Sequence, residues 1–415
     1  MDAFGDRLLL TNGEIVTPDR VISGGSVLIE HGLITEVAER AYAADEASID
    51  LQGRILMPGL ICLHNDAVEN EINPRPTANH DPDFALLQLD RKLAAAGITT
   101  QFHAISFLEI TGGTRTIDFA IMVCEAIERF RTSGLARIDH NTLFRLEVRT
   151  PGAYEALQRR LKLSSIPLIS VDDHAPGRGQ LRNIDDFKLF LRTMGKNASD
   201  EEIEKKVAEM LAEVQRTQPF ADENLQRLRS LADERLAGGA PLLLKSHDDD
   251  SPERVDQMYE LGCRISEFPT TIAAAKRARE LGMTIEVGAP NALRGRSLLP
   301  SNASAMELYD LGLVDVFLAD YYAPALLASL FRIASRPGAD LAAVTRCFTL
   351  NPASSVGLDD RGAIEPGKRA DLIVTEPAGA FQMVSASFVA GKPAYTSGMP
   401  LPISSPLSAG IAMHS

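Results

Sequence analysis

Residues 57–69 read MPGLICLHNDAVE, an apolar run that ends in His64, Asn65 and Asp66. Before this run, short β-rich runs alternate with turns such as Asn12-Gly13 and His31-Gly32. After it, apolar and β-branched runs of strand length alternate with helical stretches. The change near Leu60 therefore predicts that a β segment ends there and that a unit of alternating strands and helices begins.

Eight such runs follow, at 60–63, 99–104, 142–148, 167–171, 242–246, 263–268, 284–287 and 314–319. Helical patterns lie between most of them, for example at 83–96, 120–132, 154–163, 224–237 and 304–311. The runs are almost continuously apolar, which is typical of parallel strands buried on both faces. The pattern predicts an α/β fold, a (β/α)8 TIM barrel.

Strand character returns near the C-terminus, in GAIEPGKRADLIVTEP (362–377) and FQMVSASFVAGKPAYTS (381–397). We predict that residues 1–58 and 355–400 together form a small β-sandwich domain. Residues 59–354 would then form the barrel, and residues 401–415, rich in Pro, Ser and Gly, a loose tail.

One insertion interrupts the barrel pattern between the fourth and fifth runs. It contains SDEEIEKKVAEMLAEVQRT (199–217), in which Ser199 and Glu202 predict a capping box at the start of a helix. This helix could be a plain surface feature or a wall of the active-site entrance, and its pattern favours neither decisively.

Composition limits the classes of partner. The 415 residues carry a formal net charge of −14, which argues against nucleic acid or an anionic membrane as partner but not against a small anionic substrate. The four cysteines are scattered, and no signal sequence or long apolar span is evident, so we expect a reduced, cytoplasmic protein. We also expect a homodimer, because dimers are the commonest soluble oligomers.

Imidazole and carboxylate groups gather where the predicted barrel strands end, which is where barrel enzymes place their chemistry. These residues are His64, Asp66, Glu147, His174, His247, Glu267 and Asp320. Any one of them could be a hydrogen-bonded structural residue or a helix cap. Together they predict a site for one or two divalent ions, with Zn²⁺ as the first expectation and Mn²⁺ or Fe²⁺ as alternatives.

Five basic residues lie in loops or at strand ends on the same side: Arg75, Arg178, Lys245, Arg294 and Arg296. Arginine binds phosphate oxygens in a bidentate manner, so this group favours a phosphorylated small-molecule substrate. Glu267 could bind substrate, bind metal or orient water. Whether His80 or His103 reaches the site stays open.

The phrases MPGLICLHNDAVE and RGAIEPGKRADLIV resemble the two ends of an amidohydrolase-superfamily barrel. Within that superfamily the chain resembles the diphosphatases of phosphonate catabolism. The matching phrases, in chain order, are HNDAVE (64–69), PRP (74–76), AAAGITT (94–100), DHAPGRGQ (173–180), SHDD (246–249), EFPTT (267–271), GAPNALRG (288–295) and DYYAP (320–324).

This resemblance implies release of pyrophosphate from a ribose 1-alkylphosphonate 5-triphosphate. It implies that His64, Asp66, His174 and His247 are metal ligands, that Glu147 can bridge two ions, and that Asp320 is a ligand or the catalytic acid/base. As a carboxylate at the end of the eighth strand, Asp320 is the predicted general base.

Two other functions stay open from the sequence. The chain could hydrolyse a C–N bond, as a deacetylase, deaminase or cyclic amidase. It could also be a non-catalytic barrel used for binding, in which case it would need no metal.

Overall fold

The structure is a computed structural model that describes residues 6–398 except 44, 46, 76, 111–114, 163 and 195–198. The predicted tail, 401–415, lies outside the described residues. Those described form two eight-stranded sheets, one a parallel barrel and the other a mixed sheet. The N-terminal strands of the mixed sheet are β1 (Arg7–Val16), β2 (Val21–Glu30), β3 (Leu33–Ala38), β4 (Ser48–Asp50) and β5 (Ile55–Pro58).

The barrel strands follow in chain order, and each pairs in parallel with the next. They are β6 (Leu60–Asn65), β7 (Ile98–Phe107), β8 (Asp139–Glu147), β9 (Leu168–Asp172), β10 (Leu243–His247), β11 (Ile265–Glu267), β12 (Thr284–Gly288) and β13 (Val316–Leu318). A bridge between Asn65 and Asp320 joins the last strand to the first. The predicted barrel is therefore confirmed, and its closing contact lies at the carboxyl ends of the strands.

Helices cover the outside of the barrel. They are α1 (Ala67–Ile72), α2 (Pro82–Ala95), α3 (Ile117–Thr132), α4 (Ala153–Leu161), α5 (Ile184–Met194), α6 (Asp200–Ala237), α7 (Pro252–Leu261), α8 (Ile272–Glu280), α9 (Ala289–Arg294), α10 (Ala305–Asp310), α11 (Ala325–Ala334), α12 (Leu341–Arg346) and α13 (Leu350–Ser355). The apolar faces of all of these helices except α5 and α13 join the outward side chains of the strands in one core.

Helix α6 begins with the predicted capping box: Glu202 N donates to Ser199 Oγ at 3.2 Å, and Ser199 N donates to Glu202 Oε2 at 2.7 Å. It then runs for 38 residues, where the sequence predicts separate helices at 199–217 and 224–237. Pro219 lies inside the helix and does not end it, since buried side chains on both sides of it, such as Val207 and Leu228, hold both halves against the protein.

The C-terminal strands are β14 (Leu372–Ala378), β15 (Phe381–Val389) and β16 (Lys392–Thr396). Strand β14 pairs with β5, so both chain ends join one sheet with the order β16-β15-β14-β5-β1-β2-β3. The sheet curls over a core of its own, and Ile34 N on the β3 edge donates to Lys368 O, just before β14, at 2.8 Å. The small β domain built from both ends is confirmed, while its residue limits remain a prediction.

We predict that Asn224→Ala loosens α6. Asn224 is buried, and its amide donates to Val148 O at 2.9 Å and Thr150 O at 3.2 Å, just beyond β8. Removing this donor should lower the free energy of unfolding by about 1–3 kcal/mol, measured as a lower thermal midpoint. Gln226→Ala, on the exposed side of the same helix, is the control and should change stability by less than about 0.5 kcal/mol. Equal midpoints for the two variants would contradict this role.

Candidate metal centre and its cavity

The carboxyl ends of the barrel strands open into a cavity of about 1090 Å³. All of the predicted metal-site residues line it: His64, Asp66, Glu147, His174, His247 and Asp320. They lie at or just after the carboxyl ends of five strands, β6, β8, β9, β10 and β13, which a parallel barrel brings to one face. The structure thus brings together side chains that are up to 256 positions apart, from His64 to Asp320.

Glu267, at the end of β11, holds two of the imidazole rings. Its carboxylate accepts from His64 Nδ1 at 2.9 Å and from His247 Nδ1 at 2.7 Å. Lys245 Nζ donates to the same carboxylate at 2.7 Å and to Glu286 at 2.6 Å. Because an ionised carboxylate only accepts, both rings carry their proton on Nδ1 and can turn Nε2 towards the cavity as a ligand.

Arg145, on β8, stands between the other ligand candidates. Its Nε donates to Asp172 at 2.7 Å, one Nη donates to Asp66 at 3.3 Å, and the other lies 3.3 Å from His174 Nε2. The His174 ring is held from its far side by Glu147, whose Oε1 lies 2.8 Å from Nδ1. Glu147 thus orients a ligand candidate, as Glu267 does.

Three groups of side chains bring ligand atoms within 4.8 Å of one another: His64 with Asp66 and Asp320; His64 with His247 and Glu267; and Asp172 with His174 and His247. His64 and His247 each belong to two of these groups. Imidazole nitrogen together with carboxylate oxygen is the donor set of Zn²⁺ and similar divalent ions. The residues present therefore fit a divalent cation.

The carboxylates beside the imidazole rings also favour a bound cation. Burial lowers the pKa of His64, but Glu267 and Asp66 more than offset this and raise it to about 10. Burial likewise lowers the pKa of His174, and Glu147 raises it to about 9. The carboxylates that favour a proton on each ring also favour a divalent cation beside it, since metal binding and proton release are linked.

Asp66 and Asp320, which both line the cavity, differ in the pKa of their carboxyl groups. Burial raises the pKa of Asp66, but His64 and Arg145 lower it further, to about 2, so Asp66 is ionised. Burial raises the pKa of Asp320 to about 6. A carboxyl group with a raised pKa is a better proton acceptor than an ordinary aspartate.

Backbone strain collects at this site. Among the described residues, eight that are not glycine have a positive φ, and three of these border the cavity: Asp248 at 56°, Phe268 at 54° and Asp320 at 55°. Such conformations are disfavoured for L-residues and persist where surrounding contacts fix them. At Asp320 the contacts are with β6: its N donates to His64 O at 3.0 Å, and its O accepts from Asp66 N at 2.9 Å.

The predicted substrate contacts divide into two groups. Arg294 lines the cavity, whereas Arg75, Arg178 and Arg296 are exposed residues outside the set that lines it. The metal-site residues form the floor of the cavity. Lys245 and Glu267 are fully buried beneath this floor and bind each other, so neither is open to a substrate. Lys245 and Glu267 support the imidazoles instead.

His80 and His103, whose place the sequence did not decide, lie outside the site. His103 is buried behind the barrel wall, where Nε2 lies 2.8 Å from His140 Nδ1, and His140 in turn contacts Asp90 of α2 at 3.0 Å. His80 is exposed near Phe84. Neither lines the cavity.

Sequence reasoning did not single out four arginines that line the cavity: Arg115, Arg145, Arg149 and Arg216. A signal existed for Arg145, because it lies two positions before Glu147 and alternate residues of a strand share a face. Arg149 forms a two-pronged ion pair with Asp173, at 2.6 and 3.0 Å, that only the fold reveals.

This chain is similar to a known enzyme over most of its length. The chain is 32% identical over 370 residues to the alpha-D-ribose 1-methylphosphonate 5-triphosphate diphosphatase of Escherichia coli K12, covering 88% of this chain and 94% of that one. The chain belongs to the amidohydrolase family. The amidohydrolase family model itself matches residues 246–397.

This amidohydrolase also shares its fold with solved structures. The dihydropyrimidinase of Brevibacillus agri matches with a TM-score of 0.59 and 14% identity, over 93% of this chain and 94% of the other. The beta-aspartyl dipeptidase of Fervidobacterium islandicum matches with a TM-score of 0.57 and 16% identity, over 95% and 97%. At such identities these likenesses concern the fold alone.

The structure also bears on the predicted lack of a membrane span. Within the described residues, no helix combines the length and the apolar character needed to cross a bilayer.

We predict that Glu267→Gln weakens divalent-metal binding by about 10- to 100-fold, because the amide cannot accept from both imidazoles and Lys245 at once. The dissociation constant for Zn²⁺, measured by chelator competition, checks this. Glu286→Gln is the matched control, since Glu286 shares Lys245 but is hydrogen-bonded to neither ring. Equal affinities for the two variants, with folding verified by circular dichroism, would remove Glu267 from this role.

Proposed function

We propose that the chain is a metal-dependent diphosphatase that cleaves the triphosphate of a ribose 1-alkylphosphonate 5-triphosphate and releases pyrophosphate. The observation that carries this proposal is the similarity to the E. coli diphosphatase over nearly the full length of both chains. The cavity supports it, because its floor combines a divalent-cation site with arginines.

We propose that His64, Asp66, His174 and His247 hold the cation and that Asp320 lies beside His64 and Asp66. Glu147 and Glu267 orient the imidazole rings. Zn²⁺ is the expected ion, with Mn²⁺ or Fe²⁺ as alternatives, and one or two ions fit the three ligand groups. When bound, the cation supplies positive charge that polarises a phosphoryl oxygen and makes a nearby water more acidic.

The chain's own groups then carry the proton and the substrate. Asp320 accepts the proton of the attacking water, for which its raised pKa suits it. The water oxygen bonds to phosphorus, the P–O bond of the anhydride breaks, and pyrophosphate leaves with that electron pair. The Asp320 backbone, strained and bonded on both sides to β6, keeps its carboxylate beside His64 and Asp66.

Arg294 is the proposed phosphate contact. In the described part of the chain no carboxylate lies within ion-pair distance of it, whereas Arg115 and Arg149 each pair with one carboxylate and Arg145 pairs with two. An unpaired guanidinium can give its donors to phosphate oxygens. We do not retain Arg75 or Arg178 as phosphate contacts.

We also propose that the enzyme acts in the cytoplasm as a homodimer on a small molecule. Its four cysteines are buried free thiols, which suits a reducing compartment. Its acidic net charge disfavours nucleic acid and anionic membranes as partners.

The experiment that tests this function compares two reactions of the metal-loaded enzyme. Pyrophosphate is measured with ribose 1-methylphosphonate 5-triphosphate, and ammonia or acid is measured with N-acyl, amino-heterocycle and cyclic-amide compounds. We expect pyrophosphate only. Release of ammonia or acid without pyrophosphate would assign a C–N hydrolase instead.

We predict that Asp320→Asn lowers kcat by about 10²–10⁴-fold while the bound metal and the fold remain, because the amide cannot accept the proton. Turnover and metal content are measured together. Asp310→Asn, at an exposed ion pair with Arg336, is the control and should leave both unchanged. An active Asp320→Asn enzyme would show that another group is the base.

We predict that Arg294→Ala raises KM by about 10- to 100-fold, the loss expected for a charged hydrogen bond, with metal content unchanged. Steady-state kinetics on the triphosphate check this. Arg296→Ala is the control, since Arg296 is exposed two positions away and outside the cavity lining. An unchanged KM in the Arg294 variant would remove it from the phosphate site.

A further inference from the structure

Part of the cavity surface takes no part in the proposed reaction. Whereas the floor is charged, this part is apolar. We call it the apolar wall, and it consists of Phe190, Met210, Val214, Phe220, Leu298 and Leu299. The first belongs to α5, the next three to α6, and the last two to the segment after α9. The insertion that the sequence left as surface or entrance thus forms part of the cavity.

Much of this wall is open to water. Phe190 is 41% exposed, Phe220 39% and Leu298 63%. Large apolar side chains that gather in the open at a cavity mark a surface that a ligand covers.

The wall is built into the fold. Leu299 is buried in a small separate core that joins α5, α6 and the segment after α9, together with Leu181, Phe187, Ile203 and Val207. Arg149 donates to Val214 O at 2.9 Å, which ties the middle of α6 to the end of β8. The apolar surface is therefore already formed before a ligand arrives.

The polar groups of α6 on this side neutralise one another. Arg216 Nε donates to Glu213 Oε2 at 2.9 Å, and both residues line the cavity. A triphosphate set against the wall would lose water without gaining charged partners, which is unfavourable. The triphosphate of a substrate therefore belongs at the floor, and the wall suits an uncharged substituent.

We propose that the apolar wall is a subsite for an alkyl or aryl group larger than methyl, carried by the phosphonate of the substrate. This inference rests on the proposed function. In a ribose 1-phosphonate 5-triphosphate the two phosphorus groups sit on opposite ends of the sugar. With the anhydride at the metal floor, the substituent at carbon 1 extends away from the metal-site residues, towards the exposed side chains of the wall.

The test compares ribose 1-phenylphosphonate 5-triphosphate with the 1-methylphosphonate compound. On the metal-loaded enzyme we expect kcat/KM for the phenyl compound to be higher by at least about tenfold. Calorimetric dissociation constants, measured with metal-loaded Asp320→Asn enzyme, should show the same preference. Leu298→Ala and Phe220→Ala should each bring this phenyl-to-methyl ratio close to one.

Leu236→Ala is the matched control, because Leu236 is 66% exposed on α6 but lies outside the cavity lining. It should leave the ratio unchanged. Equal values for the two compounds in the wild-type enzyme, or an unchanged ratio in both wall variants, would overturn the subsite. So would faster turnover of nucleoside 5′-triphosphates than of either phosphonate, since the wall would then serve a nucleobase.

The two proposals fail in different ways. If neither compound yields pyrophosphate, the proposed function fails. The dissociation constants of the two compounds then decide on their own whether the wall is a subsite. Tighter binding of the phenyl compound that is lost in Leu298→Ala would still support it. Equal binding of both compounds would overturn it.

Discussion

The carboxylate of Glu267 is the contact on which the candidate metal centre depends. It is buried and accepts from His64, His247 and Lys245 at 2.9, 2.7 and 2.7 Å. These donors come from opposite parts of the barrel, β6 and β10. One carboxylate therefore fixes the rotation and the tautomer of two imidazoles and leaves both Nε2 atoms to face the cavity. Lys245 compensates part of the negative charge that this arrangement buries, which an isolated carboxylate could not sustain.

The rest of the fold keeps these donors in register. The barrel closes at the Asn65–Asp320 bridge, so the proposed base is held by the same strand that carries His64 and precedes Asp66. The strained backbone of Asp248, Phe268 and Asp320 lies at this end of the barrel, where it directs side chains to the cavity. Outside the barrel, α5, α6 and the segment after α9 add the apolar wall to the cavity.

Much of this could be predicted from the sequence. The barrel strands were visible as continuous apolar runs, and His64, Asp66, Glu147, His174, His247 and Asp320 follow from reading the strand ends, because a parallel barrel brings all of those ends to one face. The resemblance in ordered phrases identified the family. These features depend on local pattern and on one rule of topology.

Other features depend on depth and side-chain direction, which the sequence pattern does not fix. Lys245 lies two positions before His247 and shares its face of the strand, but one layer lower, so it meets Glu267 and Glu286 and not a phosphate. Arg75 and Arg178 lie in loops whose course only the fold determines. The sequence predicts two helices where the structure has α6, yet tertiary packing on both sides of Pro219 joins them into one.

The central claim is that the two imidazoles held by Glu267 bind a divalent cation through Nε2. The most direct measurement is anomalous diffraction at the zinc edge from crystals of the metal-loaded protein. The account predicts a peak about 2.0–2.1 Å from Nε2 of His64 or His247, with Nδ1 of both rings still on Glu267. A peak bonded to Nδ1, or the absence of any peak among these side chains at full metal loading, would contradict it.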